Sequence, residues 1–173
     1  MNELVKSNIL ISPDNSAVFI VDFQSCPELG LCSAADDAPW TIVKTVLEHA
    51  AALAVPVIST IYAGVRISTA EPLPPIAHLD NVPRTRLNPW EEEMVRARIT
   101  AARRDKIVIL GNCAEAGVSF AALGALEFGY QPYVVVDAIQ SASAFDASTA
   151  LTRMTQAGVI SVSSKQLLLE WGR

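Results

Sequence analysis

Residues 107–138 read IVILGNCAEAGVSFAALGALEFGYQPYVVVDA, and this stretch decides the fold. An apolar, β-branched run (Ile107 to Leu110) breaks at Gly111. An Ala-rich apolar segment follows and stops at Gly129, and a second β-branched run, Tyr133 to Val136, comes next. Strand, turn, helix, glycine stop and strand make a βαβ unit of a parallel sheet. Sheets of this kind bind ligands beyond the carboxyl ends of their strands, so the turn from Gly111 to Gly117 is the first place to look for chemistry.

Working outward, Ala17 to Val21 (AVFIV) is an uninterrupted apolar run ending at Asp22, as a central parallel strand requires. The apolar residues Ile42, Val43, Val46, Leu47, Ala50 and Leu53 recur at helical spacing and predict a helix over 40–54. Residues 57–61 read as a strand, and the proline-bearing segment 63–80 as a long irregular loop. Asn81 to Pro83 reads as a short strand. Asn88, Pro89 and Glu91 form a helix start, with a cap, a first-turn proline and a capping-box glutamate, for a helix reaching Arg104. A helix from Asp146 or Ser148 to just before Gly158, a strand at 159–162 and a helix at 164–171 complete the chain. The alternation predicts a three-layer α/β/α domain over 1–173, with an open, mostly parallel sheet of about six strands.

Composition narrows the function. Half of the 173 residues are apolar (51%) and 18% are charged, which fits a sizeable core and not a disordered chain. The net charge of −5 and the lack of a basic stripe point away from nucleic acid. The one basic cluster, Arg96 to Lys106, shares its segment with Glu91, Glu92 and Glu93 and reads as a solvated helix face. No stretch approaches the roughly 18 apolar residues of a membrane span, so no membrane partner is expected. The opening MNELVKSNILIS lacks a signal-peptide pattern, which predicts a cytoplasmic location. Three cysteines (Cys26, Cys32, Cys113) without metal or CxxC spacing read as free thiols, Cys26 and Cys32 pairing only in an oxidising compartment.

The motif inventory excludes more than it offers. GxGxxG, GxxxxGK[ST] and GxSxG are all absent. His49 lies within the first amphipathic helix and His78 in the proline-rich loop, with no companion at ligand spacing, so no protein-bound metal and no cofactor are expected. Asp22, a charge directly after five apolar residues, needs a partner or a task. Asp137 occupies the same position after another strand and reads as structural.

AVFIVDFQ (Ala17–Gln24) and GNCAEAGVSFAALGALEFGYQPYVVVDA (Gly111–Ala138) resemble the isochorismatase-like cysteine hydrolases, and so do RTRLNPWEEE and TRMTQAGV (Thr152–Val159). The likeness covers nearly the whole chain, whose proportions are similar to those of octameric bacterial members of uncertain substrate. It implies the α/β fold, a small-molecule substrate and a homo-oligomer. In cysteine-dependent members a thiolate attacks a carbonyl, an aspartate at the end of the first strand takes the thiol proton, and a lysine supports the charge. By position, that aspartate is Asp22, the lysine falls on Arg84, the usual threonine on Ala114, and the cysteine on Gly117. The attacking group is therefore missing. Cys113, four residues earlier, and Cys26, near the expected pocket mouth, are the thiols left as substitutes. Glu115 occupies a turn position that is acidic in ordinary members. The Cys113–Ala114 peptide corresponds to a non-proline cis bond in relatives, and its geometry here is left open by the sequence.

Two functions follow. One is a hydrolase with no covalent intermediate, as in true isochorismatases, which also carry Gly at the cysteine position. Asp22 is then the acid or base and Arg84 the substrate-binding or charge-stabilising group, with Gly117, Ala114 and Cys26 lining the substrate site. Arg84 is expected to lower the Asp22 pKa and favour the carboxylate. The other function is an inactive family member serving as a binding or assembly module.

Overall fold

The computed structural model describes residues 9–25, 37–64 and 71–173. Its centre is the pair of strands predicted from the apolar runs Ala17–Val21 and Ile107–Leu110. β1 (Ser16–Val21) lies parallel to β6 (Lys106–Gly111), with Ala17 opposite Ile107 and Val21 opposite Gly111. Both strands are buried at every residue, which is why they read as continuous apolar runs and not as alternating ones. β3 (Val57–Tyr62) pairs with the other side of β1, and β5 (Val82–Arg84) with β3. Beyond β6 come β7 (Gln131–Ile139) and β8 (Ile160–Val162), so the order is β5-β3-β1-β6-β7-β8, parallel throughout. A separate two-stranded ribbon joins β2 (Gln24–Ser25) to β4 (Glu71–Pro72).

Alternate residues of the central strands feed two cores. Phe19, Val21, Ile107 and Ile109 pack on one face, under α2 (Glu93–Ala102), α3 (Ser119–Glu127) and α4 (Ala144–Ala157). Val18, Ile20, Val108 and Leu110 face the other way, toward α1 (Asp37–Ala52) and α5 (Ser164–Trp171). Three layers result, as expected. The chain leaves β1 for β3 on one side and returns through β6 on the other. That reversal falls at the carboxyl ends of β1 and β6, the ligand position of such sheets.

Several local expectations need correction. Asn88 caps a single 3-10 turn, Pro89–Glu91, through an acceptor bond from the Trp90 N–H at 3.1 Å, and α2 begins only after Glu92, whose backbone is extended. Buried Trp90 dictates the break: it stacks on Phe128 at 4.8 Å and donates from Nε1 to the Ala121 carbonyl. Glu91 closes no capping box and pairs with Arg86 instead. The fourth helix starts earlier than expected, because Ser143 caps it by accepting from the Asp146 N–H. Lys106 is not on a solvated face at all. It is fully buried in β6, where its ammonium donates to the Ile9 carbonyl at 3.1 Å and to the Tyr133 hydroxyl at 3.3 Å. Burial lowers its pKa, against the pull of Asp105 and Glu170. Among the described residues no helix is long and apolar enough to cross a membrane.

Candidate functional site

Three strands end on this side of the sheet, and each leads to one group. β1 is followed directly by Asp22, which adopts left-handed backbone (φ 52) while its N–H still donates to the Thr60 carbonyl. β5 ends in Arg84, one residue further than the sequence placed that strand, and this sets its side chain beside β3. β6 ends in Gly111, whose φ of 142 and contact with the Val21 carbonyl leave no room for a side chain. The turn then runs through Asn112 and Cys113 into a π-helical turn, Ala114–Val118, which presents Gly117.

Asp22 and Arg84 form a buried ion pair, 8% and 1% exposed. Arg84 Nε donates to Asp22 Oδ1 at 3.2 Å, and Nη2 contacts Oδ2, so the guanidinium grips both carboxylate oxygens. Thr60 Oγ1 donates a further bond to Oδ1 at 3.1 Å. The other guanidinium nitrogen, Nη1, donates to the carbonyls of Arg86 and Leu87, and the Tyr62 ring lies 5.2 Å from the guanidinium carbon. Burial pushes the Asp22 carboxyl above its ordinary value. Arg84 pulls it down, as the sequence led one to expect, helped by Thr60 and the Tyr62 N–H, but burial outweighs them.

Gly117 completes the arrangement from the third side. A Cβ on it would stand 2.9 Å from Asp22 Oδ2, 3.1 Å from Val21 Cγ1 and 3.4 Å from Arg84 Nη2. The ion pair thus occupies space that a side chain at 117 would need.

The thiol among the described residues is a poor substitute. Cys113 is half-buried in left-handed backbone, four residues before Gly117, and burial with the nearby Glu115 charge pushes its thiol up to about 11. Such a group is protonated at neutral pH and so is no nucleophile. Cys26 and Cys32 lie outside the described residues. Ala114 is fully buried, with its N–H spent on the Gln140 carbonyl. Glu115 accepts from the Ser141 hydroxyl at 2.6 Å. Asp137 caps α5 by accepting from the Ser164 N–H and hydroxyl, a structural role. The described residues contain no cis peptide and no acidic, cysteine or histidine cluster able to hold a metal.

Gln24, Thr60, Tyr62 and Asn112 went unremarked in the sequence. Thr60 carried the only local signal, a polar residue inside the apolar strand VISTIY.

The geometry can be set beside known proteins. YcaC of Pseudomonas aeruginosa, solved with hexane-2,5-diol and covalent acrylamide, superposes with a TM-score of 0.86 at 22% identity, over 96% of this chain and 85% of that one. The YcaC gene product of Escherichia coli, described as an octameric hydrolase of unknown specificity, gives 0.86 at 24% identity, over 97% and 84%. MAR1 ribonuclease of Caenorhabditis elegans gives 0.78 at 23%, over 93% and 83%. The likeness is one of fold, and three such different descriptions show that the fold alone does not choose a substrate. No curated protein sequence matches the chain. The isochorismatase domain model matches residues 16–166, and the chain belongs to the isochorismatase family.

Proposed function

We propose that this protein is a hydrolase that cleaves a small molecule without a covalent intermediate, Asp22 moving the proton and Arg84 stabilising the charge. One observation carries the reading: a buried carboxylate, gripped by Arg84, faces the bare Cα of Gly117. Burial raises the Asp22 pKa, which suits a general acid. Asp22 would protonate the substrate, water would complete the cleavage, and the water's spare proton would restore the acid. The contacts of Arg84 with Asp22 and with the Arg86 and Leu87 carbonyls favour stabilising the carboxylate left behind over gripping a substrate anion. Gly117 and Ala114 then contribute shape to the substrate site. We place this activity in one domain over 1–173, in the cytoplasm. A homo-oligomer is also proposed, for which the octameric E. coli relative is the support; sedimentation showing only monomer at micromolar concentration would overturn it.

A second reading, a non-catalytic binding or assembly module, is favoured by the closeness of Gly117 to the ion pair, which leaves no gap between them for a reacting atom. Turnover separates the two. Wild type and Asp22→Asn are incubated with isochorismate and a panel of small amides, with products followed by mass spectrometry. Hydrolysis that vanishes in the variant supports the enzyme. Turnover that survives in the variant and stops on thiol alkylation transfers the role to a cysteine. No turnover with any member of the panel favours the module.

A further inference from the structure

Asp22 breaks away from β1 into left-handed backbone, a conformation that a non-glycine residue holds only when its surroundings enforce it. Two buried carboxamides supply the enforcement. Gln24, 2% exposed, turns its side chain onto the backbone of Tyr62. Its Oε1 accepts from the Tyr62 N–H at 2.7 Å, and its Nε2 donates to the Tyr62 carbonyl at 2.8 Å. A neighbouring strand would normally satisfy those two backbone groups, and β1 has already left the ladder at Asp22. The Gln24 carboxamide therefore stands in for the missing strand. Its own backbone is tied down from both directions: the Gln24 N–H donates to the Asp22 carbonyl at 2.8 Å, and Asn112 Nδ2 donates to the Gln24 carbonyl at 3.0 Å.

Asn112 makes the point from the β6 side. It is 2% exposed, and its Oδ1 has no hydrogen-bond partner. An orphaned acceptor of this kind is unfavourable, and an apolar side chain would avoid it. What asparagine supplies that an apolar residue cannot is the donor to Gln24. The turns after β1 and β6 are thus joined through Gln24.

We propose that Gln24, supported by Asn112, is a positioning residue for Asp22: its carboxamide replaces the strand partner of Tyr62 and so holds the Asp22 carboxylate on Arg84 and against Gly117. The inference rests on Asp22 being the proton-transfer group. Its test reads Asp22 directly, so that its failure and a failure to find turnover are separate results.

The experiment follows the carboxyl carbon of Asp22 by NMR across pH in aspartate-labelled protein, the signal being assigned by its loss in Asp22→Asn. Gln24→Met keeps the length of the side chain and removes both bonds to Tyr62. In that variant the Asp22 turn relaxes toward water, and the titration midpoint falls by at least one unit, a tenfold loss of proton affinity. Amide signals of β7 and β8, remote from the turn, stay in place. A folded Gln24→Met whose Asp22 midpoint matches wild type overturns the proposal. Asn112→Ala covers the case in which Gln24→Met does not fold. It removes only the outer support and lowers the midpoint by a smaller amount, and an unchanged midpoint there overturns the proposal equally.

Discussion

The Cα of Gly117 lies so close to the Asp22 carboxylate that a methyl group on it would stand 2.9 Å from Oδ2, inside normal contact. Nor is that oxygen free to retreat, because Arg84 grips both carboxylate oxygens and is itself held by two backbone carbonyls. Gly117→Ala is therefore expected to destabilise the protein by about 1–3 kcal/mol, the usual range for overpacking. Gly117→Cys should destabilise it likewise, since it places the same Cβ against the pair. Urea unfolding checks both. An alanine variant as stable as wild type would mean that the pair yields easily.

The Asp22–Arg84 pair itself makes a pH-dependent prediction. Burial raises the folded pKa of Asp22, so its contribution to stability is present below the ordinary value of about 3.9 and is lost as pH rises through the folded value. Arg84 limits that loss by drawing the pKa back down. Arg84→Met removes the restraint, so the folded pKa rises further and the loss grows over the interval between the two. The variant should be closer to wild type in stability at pH 4 than at pH 8, where breaking a buried pair costs about 3–5 kcal/mol. Urea unfolding at the two pH values decides it. A penalty independent of pH would show that Asp22 does not titrate in that window.

Cys113 gives a chemical test. Its thiol is pushed from 9.0 to about 11, a rise of about two units, so its thiolate fraction at neutral pH is about a hundredfold below that of an unperturbed cysteine. Iodoacetamide labelling of Cys113 in the folded protein should rise about tenfold per pH unit to near pH 11. At pH 7 it should be at least a hundredfold slower than in urea-unfolded chain. Site-resolved mass spectrometry separates it from Cys26 and Cys32. Rapid labelling at pH 7 would restore Cys113 as a candidate nucleophile.

How far the sequence could be read depended on how locally each feature was encoded. β1 and β6 were legible because burial on both faces writes an unbroken apolar run, and Asp22 because it ends one. Arg84 was found only through the family resemblance, since nothing near it marks a buried cation. Lys106 was misread for a related reason: a lysine beside Asp105 looks like surface until the Ile9 carbonyl, 97 positions away, is seen beneath it. Gln24 and Asn112 were invisible because their partners lie 38 and 88 positions away. Buried carboxamides answer to backbone groups that only the assembled sheet brings near. The helix start at Asn88 shows the reverse case, where strong local signals yielded to one tertiary contact, the seating of Trp90 on α3.

That seating leads from the core to the site. Trp90 follows the segment whose carbonyls, at Arg86 and Leu87, hold the Arg84 guanidinium, and it packs across Gly124 with its indole N–H on the Ala121 carbonyl. In an ordinary helix, Gly→Ala gains about 1 kcal/mol from backbone propensity. At Gly124 the added methyl would run into Trp90 Cδ1 and Cγ, and displacing the indole would break the Ala121 bond and the stack on Phe128. Overpacking of about 1–3 kcal/mol, plus a lost buried hydrogen bond of about 1 kcal/mol, outweighs the propensity gain. Gly124→Ala should therefore lower stability by about 1–3 kcal/mol and shift tryptophan emission to the red as Trp90 reaches solvent. It should also raise the Asp22 titration midpoint, because Arg84, which draws that pKa down, loses the carbonyls that fix it beside the carboxylate. Denaturation and fluorescence test the first two effects, and carboxyl NMR the third. A stabilised Gly124→Ala would mean that Trp90 can step aside without disturbing α3, and the link from core to ion pair would fall with it.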